Sequence, residues 1–357
     1  MMPKNKSFEI GDFMQGADNS VSIIIVTYNS IKYIDNCIKS ILVQRYNFEI
    51  IVIDNCSTDG TCEYVSENFP SVNVIKNSGN FGYGNANNLG VKYATRDIIL
   101  IINPDTIMED GSIESLLSPL LNTNKLITTP KILTYNSSII NSCGHINHFT
   151  GLGFTRGFGA EPSAYQRYEY VCGAPGTCFA MKRIDFIELG GFDETFFMYR
   201  EDGDLVWRAH LNNIKILYVP TSVIRHDYKL KVTPKKLYHI EKGRYLILKK
   251  YFSVLDFMFL SPSLFLTEIL SFGYATRLGV EGLLCKLSSM KYILFLETCK
   301  VRGNKLNLIN NLSYEIPVDQ LTFNPADKIL KKLFNKMYKL NFYALKFVYT
   351  HRKKMYE

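Results

Sequence analysis

The sequence predicts an α/β fold: a mostly parallel central sheet with flanking helices, followed by a helical C-terminal extension. Three observations carry that prediction. Short runs of β-branched and aliphatic residues, the mark of strands buried on both faces, recur through the N-terminal part of the chain. Between them lie segments with apolar residues at helical spacing, in the rhythm of βαβ units with right-handed crossovers. Beyond Lys229 the chain turns helical, basic and aromatic.

Val21 to Thr27 (VSIIIVT) reads as the first buried strand and ends in the polar turn Tyr28-Asn29-Ser30. Ile34, Cys37, Ile38, Ile41 and Leu42 then fall at helical spacing. Ile50 to Ile53 is the next strand and ends on a carboxylate, Asp54. The turn Asn55 to Gly60 carries helix-capping residues ahead of a helix from Cys62 to Phe69. Val72 to Ile75 makes a third, short strand, followed by NSGNFGYGNANNLG, a glycine- and asparagine-rich loop entering a helix through Tyr93. The run from Ile98 stops at Asn103-Pro104-Asp105, because Pro104 lacks an amide hydrogen and disfavours helix at Asn103. Asp105 is thereby placed beyond a strand's carboxyl end, where open α/β sheets bind ligands; capping of the next turn is the plainer alternative. Asn141 to Tyr170 is rich in glycine, aromatics and polar residues and reads as a long surface loop or irregular hairpin. Lys215 to Val219 gives a further strand, followed by TSVIRHDY.

The 357 residues suffice for one large domain plus an appendage or for two ordinary domains, and 46% hydrophobic content supports a sizeable core. The eight cysteines show no CxxC pair or zinc spacing, which fits reduced thiols in a cytosolic protein. The polar start lacks the core of a secretory signal, and no uncharged apolar run reaches the length of a bilayer span. The expected layout is a leader over 1–20, a catalytic-type domain over 21–250 and a basic, aromatic helical region over 251–357. The net charge of +8 calls for an anionic partner. Its uneven placement favours a membrane surface or an anionic substrate over nucleic acid.

Several carboxylates could carry chemistry. Asp54 is placed to meet a base or ribose, or else to cap its turn. The glycines of the 77–90 loop allow close approach to a diphosphate, without matching a dinucleotide fingerprint or P-loop. Glu201 and Asp202 open a helix after the apolar approach Phe196 to Tyr199, surroundings in which a carboxylate can serve as general base. A plainer account is a first turn favoured by the helix dipole, with Asp204 and Arg208 as an i, i+4 ion pair. His226 is a candidate metal ligand or a structural histidine; His145 and His148 are weaker candidates, and Trp207 is most simply core.

Taken together, VSIIIVTYNS, EIIVIDNCSTDGT, NSGNFGYGNANNLG, ILIINPDT and GGFDETFFMYREDGDLVWRA, with the later His226, resemble family 2 of the inverting nucleotide-sugar glycosyltransferases, in family order over roughly Val21 to Tyr245. NPDT in place of Asp-x-Asp looks like the branch that includes rhamnosyltransferases. The resemblance implies a GT-A fold and roles for individual residues. Thr27, Tyr28, Asn29, Asp54, Asn55, Gly79, Asn80 and Gly82 would bind the donor nucleotide. Gly173 and Ala174 would lie near sugar and acceptor. Asp105, aided by His226, would hold Mg2+ or Mn2+ on the diphosphate. Asp202 would be the catalytic base with Glu201 in support. It implies a UDP-, dTDP- or GDP-sugar donor and a glycan or lipid-linked acceptor in surface polysaccharide or glycoconjugate assembly. The expected location is cytoplasmic, peripheral on the inner face of the cell membrane. Asn103 removes a carboxylate that stricter relatives have. The alternatives are a sugar-nucleotide-binding protein without catalysis, and a nucleotidyltransferase, which would leave the GGFDE and REDGD block without a reason.

In the C-terminal region, Phe252 to Phe272 is apolar but carries Asp256, Pro262 and Glu268, which argues against a spanning helix. Leu330, Leu333, Phe334, Met337, Leu340, Ala344 and Leu345 form an apolar stripe flanked by Lys331, Lys332, Lys336, Lys339 and Arg352-Lys353-Lys354. Such a helix reads as a membrane-surface element or as a helix packed on the protein with a solvated basic face.

Overall fold

A computed structural model describes residues 20–136, 139–227, 231–294, 301–322 and 324–356, without the side chains of 294 and 352–356. The leader expected over 1–20 and the Arg352-Lys353-Lys354 side chains therefore lie essentially outside the described residues.

The chain opens with β1 (Ser20–Thr27), α1 (Ile31–Leu42), β2 (Asn47–Asp54), α2 (Thr61–Asn68), β3 (Asn73–Lys76), α3 (Tyr83–Tyr93) and β4 (Ile98–Ile102). Next come β5 (Thr106–Met108), α4 (Ser112–Leu121), β6 (Leu126–Thr134), β7 (Ile140–Ser142), β8 (His145–Asn147), β9 (Gly153–Thr155) and β10 (Glu169–Tyr170). β11 (Cys178–Lys182), α5 (Arg183–Glu188), α6 (Glu201–Leu211) and β12 (Lys215–His226) follow. The helical tail is α7 (Pro234–Tyr251), α8 (Val254–Arg277), α9 (Gly279–Ser289), α10 (Lys291–Leu294), α11 (Lys305–Asn310) and α12 (Pro325–Tyr356).

The main sheet has the order β10-β12-β6-β11-β4-β1-β2-β3, with β5 on β12 and β7 on β6. β3, β2, β1 and β4 pair in parallel, as the βαβ rhythm predicts, and β11 enters antiparallel between β4 and β6. The period of two decides what each face meets. Ile23, Ile25, Leu100 and Ile102 join Ile34 and Ile38 of α1 and Ile113 and Leu116 of α4 in one core. On the opposite face, Gly90 of α3 lets that helix close on Ile24 and Ile53. Each such aliphatic side chain buried stabilises the fold by about 1.5–3 kcal/mol.

The described chain packs as two compact units. One holds the sheet and runs to His145, resumes over Thr155–Phe197 and includes β12; the other comprises Ile146–Phe154, Met198–Asn213 with α6, and helices α7 to α12. Several expectations change. The strand expected to stop at Val219 continues to His226 past a register shift between Val219 and Val223. Of the two readings of 141–170 the irregular hairpin is the nearer, since β8 pairs with β9 and Cys143, Asn147, His148 and Phe149 are buried, which a surface loop would not be. Leu42 stays exposed, whereas Trp207 meets its expectation as a core residue, fully buried against Tyr251 and Phe252. Helix α8 is long and apolar enough to cross a membrane by length and composition.

The apolar stripe expected on α12 splits: Phe334 and Leu345 are buried, whereas Leu330, Leu333, Met337 and Leu340 are exposed. A buried charged quartet ties the helical unit together. Arg244 bonds Glu241 at 2.7 Å and also Glu268, and Lys286 reaches Glu268 at 2.7 Å and also Glu241.

A Cβ at Gly90 would stand 2.5 Å from Ile24 Cγ2. Gly90→Ala is expected to destabilise the protein by about 1–3 kcal/mol through overpacking, despite alanine's better helix propensity. The midpoint of urea unfolding checks this.

Candidate functional site

In the sheet unit, register sets the carboxyl ends of neighbouring strands level. Thr27 pairs with Asp54 and Ile25 with Ile102, so the Asn103 turn leaves the sheet beside the end of β1. Side chains then fasten the loops beyond that edge. Thr27 Oγ1 donates to Asp54 Oδ1 at 2.9 Å and Ser57 N donates to Asp54 Oδ2 at 2.9 Å. Asp54 is wholly buried, so its carboxylate holds the following turn to the strand end. Asn29 adopts a left-handed backbone (φ 53°) and its Oδ1 accepts from Thr58 N at 2.8 Å. Tyr28, next to it, is 50% exposed and presents an aromatic face on which a planar base can stack.

The glycine–asparagine loop is stitched to the same edge. Asn55 Nδ2 donates to Gly82 O at 3.1 Å, Asn77 Nδ2 to Asn55 Oδ1 at 2.8 Å, and Gly82 N to Asn80 Oδ1 at 3.0 Å. Gly82 has φ 88°, and a Cβ there would lie 2.3 Å from Phe197 O, so no other residue fits. Gly79 faces no such constraint; it lies in the loop beside the half-exposed Phe81. The segment carrying Gly173 and Ala174 is drawn toward the same edge. Tyr83 OH donates to Gly176 O at 2.6 Å, Asn103 N to Thr177 O at 2.9 Å, and His145 N to Gly173 O at 2.7 Å.

Asp105 and His226 come together from two strands. β5 pairs antiparallel with the end of β12, His226 opposite Thr106, and His226 Nε2 stands 3.3 Å from Asp105 Oδ1. That carboxylate oxygen is buried without a hydrogen bond, as is Asn103 Oδ1 in the same turn. His226 Nδ1 lies 3.3 Å from Asn141 Oδ1, so Asn141 helps to orient the ring whose Nε2 faces Asp105. Asp105 Oδ1 beside His226 Nε2, with the unbonded Asn103 Oδ1 in the same turn, brings together oxygen and nitrogen atoms of the kind a divalent cation takes as ligands. Among the described residues no three His, Cys, Asp or Glu side chains gather as a metal group. A cation here must draw further ligands from phosphate and water, as Mg2+ commonly does.

Within the helical unit, α6 begins under strain. Tyr199 (φ 64°) and Arg200 (φ 75°) are left-handed non-glycine residues, and Phe197 just before them has φ 63°. Arg200 is buried, its Nη2 donating to Gly151 O at 2.9 Å, and its side chain crowds the Cα atoms of Gly151's neighbour Gly153, of Gly203 and of Gly243, none of which has room for a Cβ at ordinary contact distance. Glu201 is buried with Oε2 lacking a hydrogen bond. Burial, reinforced by the Asp202 charge, pushes its carboxyl up to about 8. Asp202 is more exposed and its Oδ1 accepts from Gly203 N at 2.7 Å. The two carboxylates thus differ in setting: Glu201 is buried with its carboxyl raised, and Asp202 is partly exposed at the helix start. Asp204 is fully buried and paired with Arg208 at 2.8 Å, as its spacing predicts, and also with Lys250 at 2.8 Å and Tyr251 OH at 2.9 Å.

Sequence reasoning missed Arg200, Asn141 and the exposure of Tyr28. Only Arg200 had a signal, as a basic residue beside two acids. His148 is fully buried in an aromatic cluster with Phe149 and Tyr338, and burial drives its imidazole down to about 3, so it is a core histidine.

The chain is similar to known proteins in both sequence and fold. The profile described as Glycosyl transferase family 2 matches residues 22–204. The low-salt glycan biosynthesis hexosyltransferase Agl10 of Haloferax volcanii is 30% identical over 206 residues, which is 56% of this chain and 64% of that protein. The N-acetylglucosaminyl-diphospho-decaprenol L-rhamnosyltransferase of Mycobacterium tuberculosis is 27% identical over 231 residues, 57% of this chain and 75% of that one. The crystal structure of GalNAc-T7 with UDP, GalNAc and Mn2+ superposes with a TM-score of 0.59 at 18% identity, covering 77% of this chain and 56% of that chain. That likeness, with the sheet order above, shows the GT-A fold.

Glu201 binds its proton more tightly folded than unfolded, from an ordinary value of 4.5 to about 8. Stability is therefore unaffected by this group below the ordinary value and is lost as pH rises toward 8. Glu201→Gln is expected to remove that pH dependence, on the order of 5 kcal/mol across the interval. Thermal melts of both proteins across pH 4 to 9 (about neutral at centre) check it.

Proposed function

The chain belongs to glycosyl transferase family 2, and from that premise we propose that it is an inverting transferase moving a sugar from a nucleoside-diphosphate sugar to a hydroxyl of a glycan or lipid-linked acceptor. The observation that carries this reading is the pair of orphaned oxygens at the end of β4, Asp105 Oδ1 and Asn103 Oδ1, beside His226 Nε2. Tyr28 and Asn29 with the 77–82 loop bind the nucleotide, Asp54 holding their turns in place rather than reaching far itself. Thr27 and Asn55 tie strand end to loop, and Gly79, Asn80 and Gly82 keep a low backbone beside the diphosphate. Gly173 and Ala174 border the sugar.

Asp105, Asn103 and His226 would hold Mg2+ or Mn2+, whose charge offsets that developing on the departing nucleoside diphosphate. Asp202 takes the acceptor hydroxyl's proton as that oxygen attacks the anomeric carbon. Glu201, buried and with its carboxyl raised by that burial, stands in support of Asp202 at the helix start. The acceptor class is polysaccharide or glycoconjugate in assembly, and a lipid-linked form fits a peripheral station on the inner face of the cell membrane.

Asp202→Asn is expected to lower transfer at least about 100-fold, the scale of a lost general base, while donor nucleotide binding holds. Assay of nucleoside diphosphate release from UDP-, GDP- and dTDP-sugars measures it, and an active Asp202→Asn protein would remove the assignment. Asp105→Ala should weaken nucleotide binding only when Mn2+ or Mg2+ is present. Calorimetry with and without the metal decides; equal binding under both conditions would exclude a cation at Asp105.

A further inference from the structure

Helices α8 and α12 form an antiparallel pair. Arg277 meets Asp327 at 2.7 Å, Thr267 Oγ1 lies 3.0 Å from Tyr338 OH, and Ser263 Oγ bonds Asn341 Oδ1 at 2.5 Å, so one helix descends as the other ascends. Each leaves a second, unburied apolar stripe. On α12 the buried row is Phe334, Tyr338, Phe342, Leu345 and Tyr349. A separate row in alternating three- and four-residue steps, Leu330, Leu333, Met337, Leu340, Ala344 and Phe347, is exposed, Leu340 to 75%. On α8, Leu255, Met258, Phe265 and Ile269 repeat the pattern at 42–67% exposure.

We propose that this helix pair docks flat on an anionic lipid bilayer through those stripes, an inference that rests on the transferase reading only for its lipid-linked acceptor. Charge selects the occupant. Lys332, Lys336 and Lys339 are exposed along α12, and from Lys328 to Tyr356 the sequence has no acidic residue. A second copy laid on this face would oppose lysine with lysine, whereas anionic headgroups complement lysines flanking an apolar strip. Docking is flat and not spanning. Although α8 is long enough to cross, its Asp256 is buried and bonded to Lys305 at 3.1 Å, and its Glu268 is bonded to Lys286 at 2.7 Å. Withdrawing α8 into hydrocarbon would remove Glu268 and leave Arg244 and Lys286, two buried cations, with Glu241 as the one acid of the quartet remaining.

The test is flotation of the full chain with vesicles of phosphatidylcholine alone and of phosphatidylcholine mixed with phosphatidylglycerol. The chain should float with the anionic vesicles and detach as salt rises. Leu333→Ser combined with Leu340→Ser replaces exposed side chains and should leave the melting temperature in place while weakening binding about tenfold or more. Lys332→Gln, Lys336→Gln and Lys339→Gln together should weaken binding to anionic vesicles on the order of 100-fold. Undiminished flotation of both variants, or no flotation of the parent chain, overturns the proposal. So does concentration-dependent dimerisation in light scattering that Leu340→Ser abolishes, which would give the face to a second copy. Calorimetry with UDP, GDP and dTDP runs in parallel. Absence of nucleotide binding by the parent chain would count against the transferase reading alone, because the vesicle result does not depend on it.

Discussion

The in-register parallel pairing of β1 with β2 and β4 is the constraint on which the rest of the sheet unit depends. β1, β4 and the Ile50–Asp54 half of β2 are buried, so a slip of one residue would turn Ile24 and Ile53 toward the wrong helix layer. Apolar burial thereby fixes the height at which each chain leaves the sheet. Polar function is a by-product of that levelling: Asp54, the Asn103 turn and the glycine–asparagine loop meet at one edge because the strands beneath them cannot end elsewhere.

Much of this was legible in residue order. VSIIIVT, EIIVID and IILII announce two-sided strands, and Pro104 fixes where β4 stops. The ion pair of Asp204 with Arg208 and the burial of Trp207 also follow from spacing and residue type. Other elements were not legible. β6 (LITTPKILT) carries a proline and threonines that hide a buried strand, since its pairing with β12 and β11 is decided by distant residues. The reach of β12 to His226 was hidden by Pro220, which interrupts the ladder without ending the strand. Nor could spacing reveal that Asn141, remote in sequence, supplies the partner that orients His226.

The helical unit is organised by a different rule. Its interior contains ions as well as aromatics, and the buried Glu241, Arg244 and Lys286 side chains pair with one another and with the partly exposed Glu268. Such a network adds little net stability over an apolar core but is costly to break in part. It therefore specifies the mutual register of α7, α8 and α9, three helices whose apolar faces alone would tolerate sliding.

The left-handed residues before α6 give this economy of packing a sharper edge. Each costs on the order of 1–3 kcal/mol and persists only while its surroundings over-determine it. At Arg200 the surroundings are glycines, where any added methyl would push outward. The turn is thus held by its close packing, and a methyl added at Gly153, Gly203 or Gly243 would loosen the start of α6 without touching a strand of the sheet.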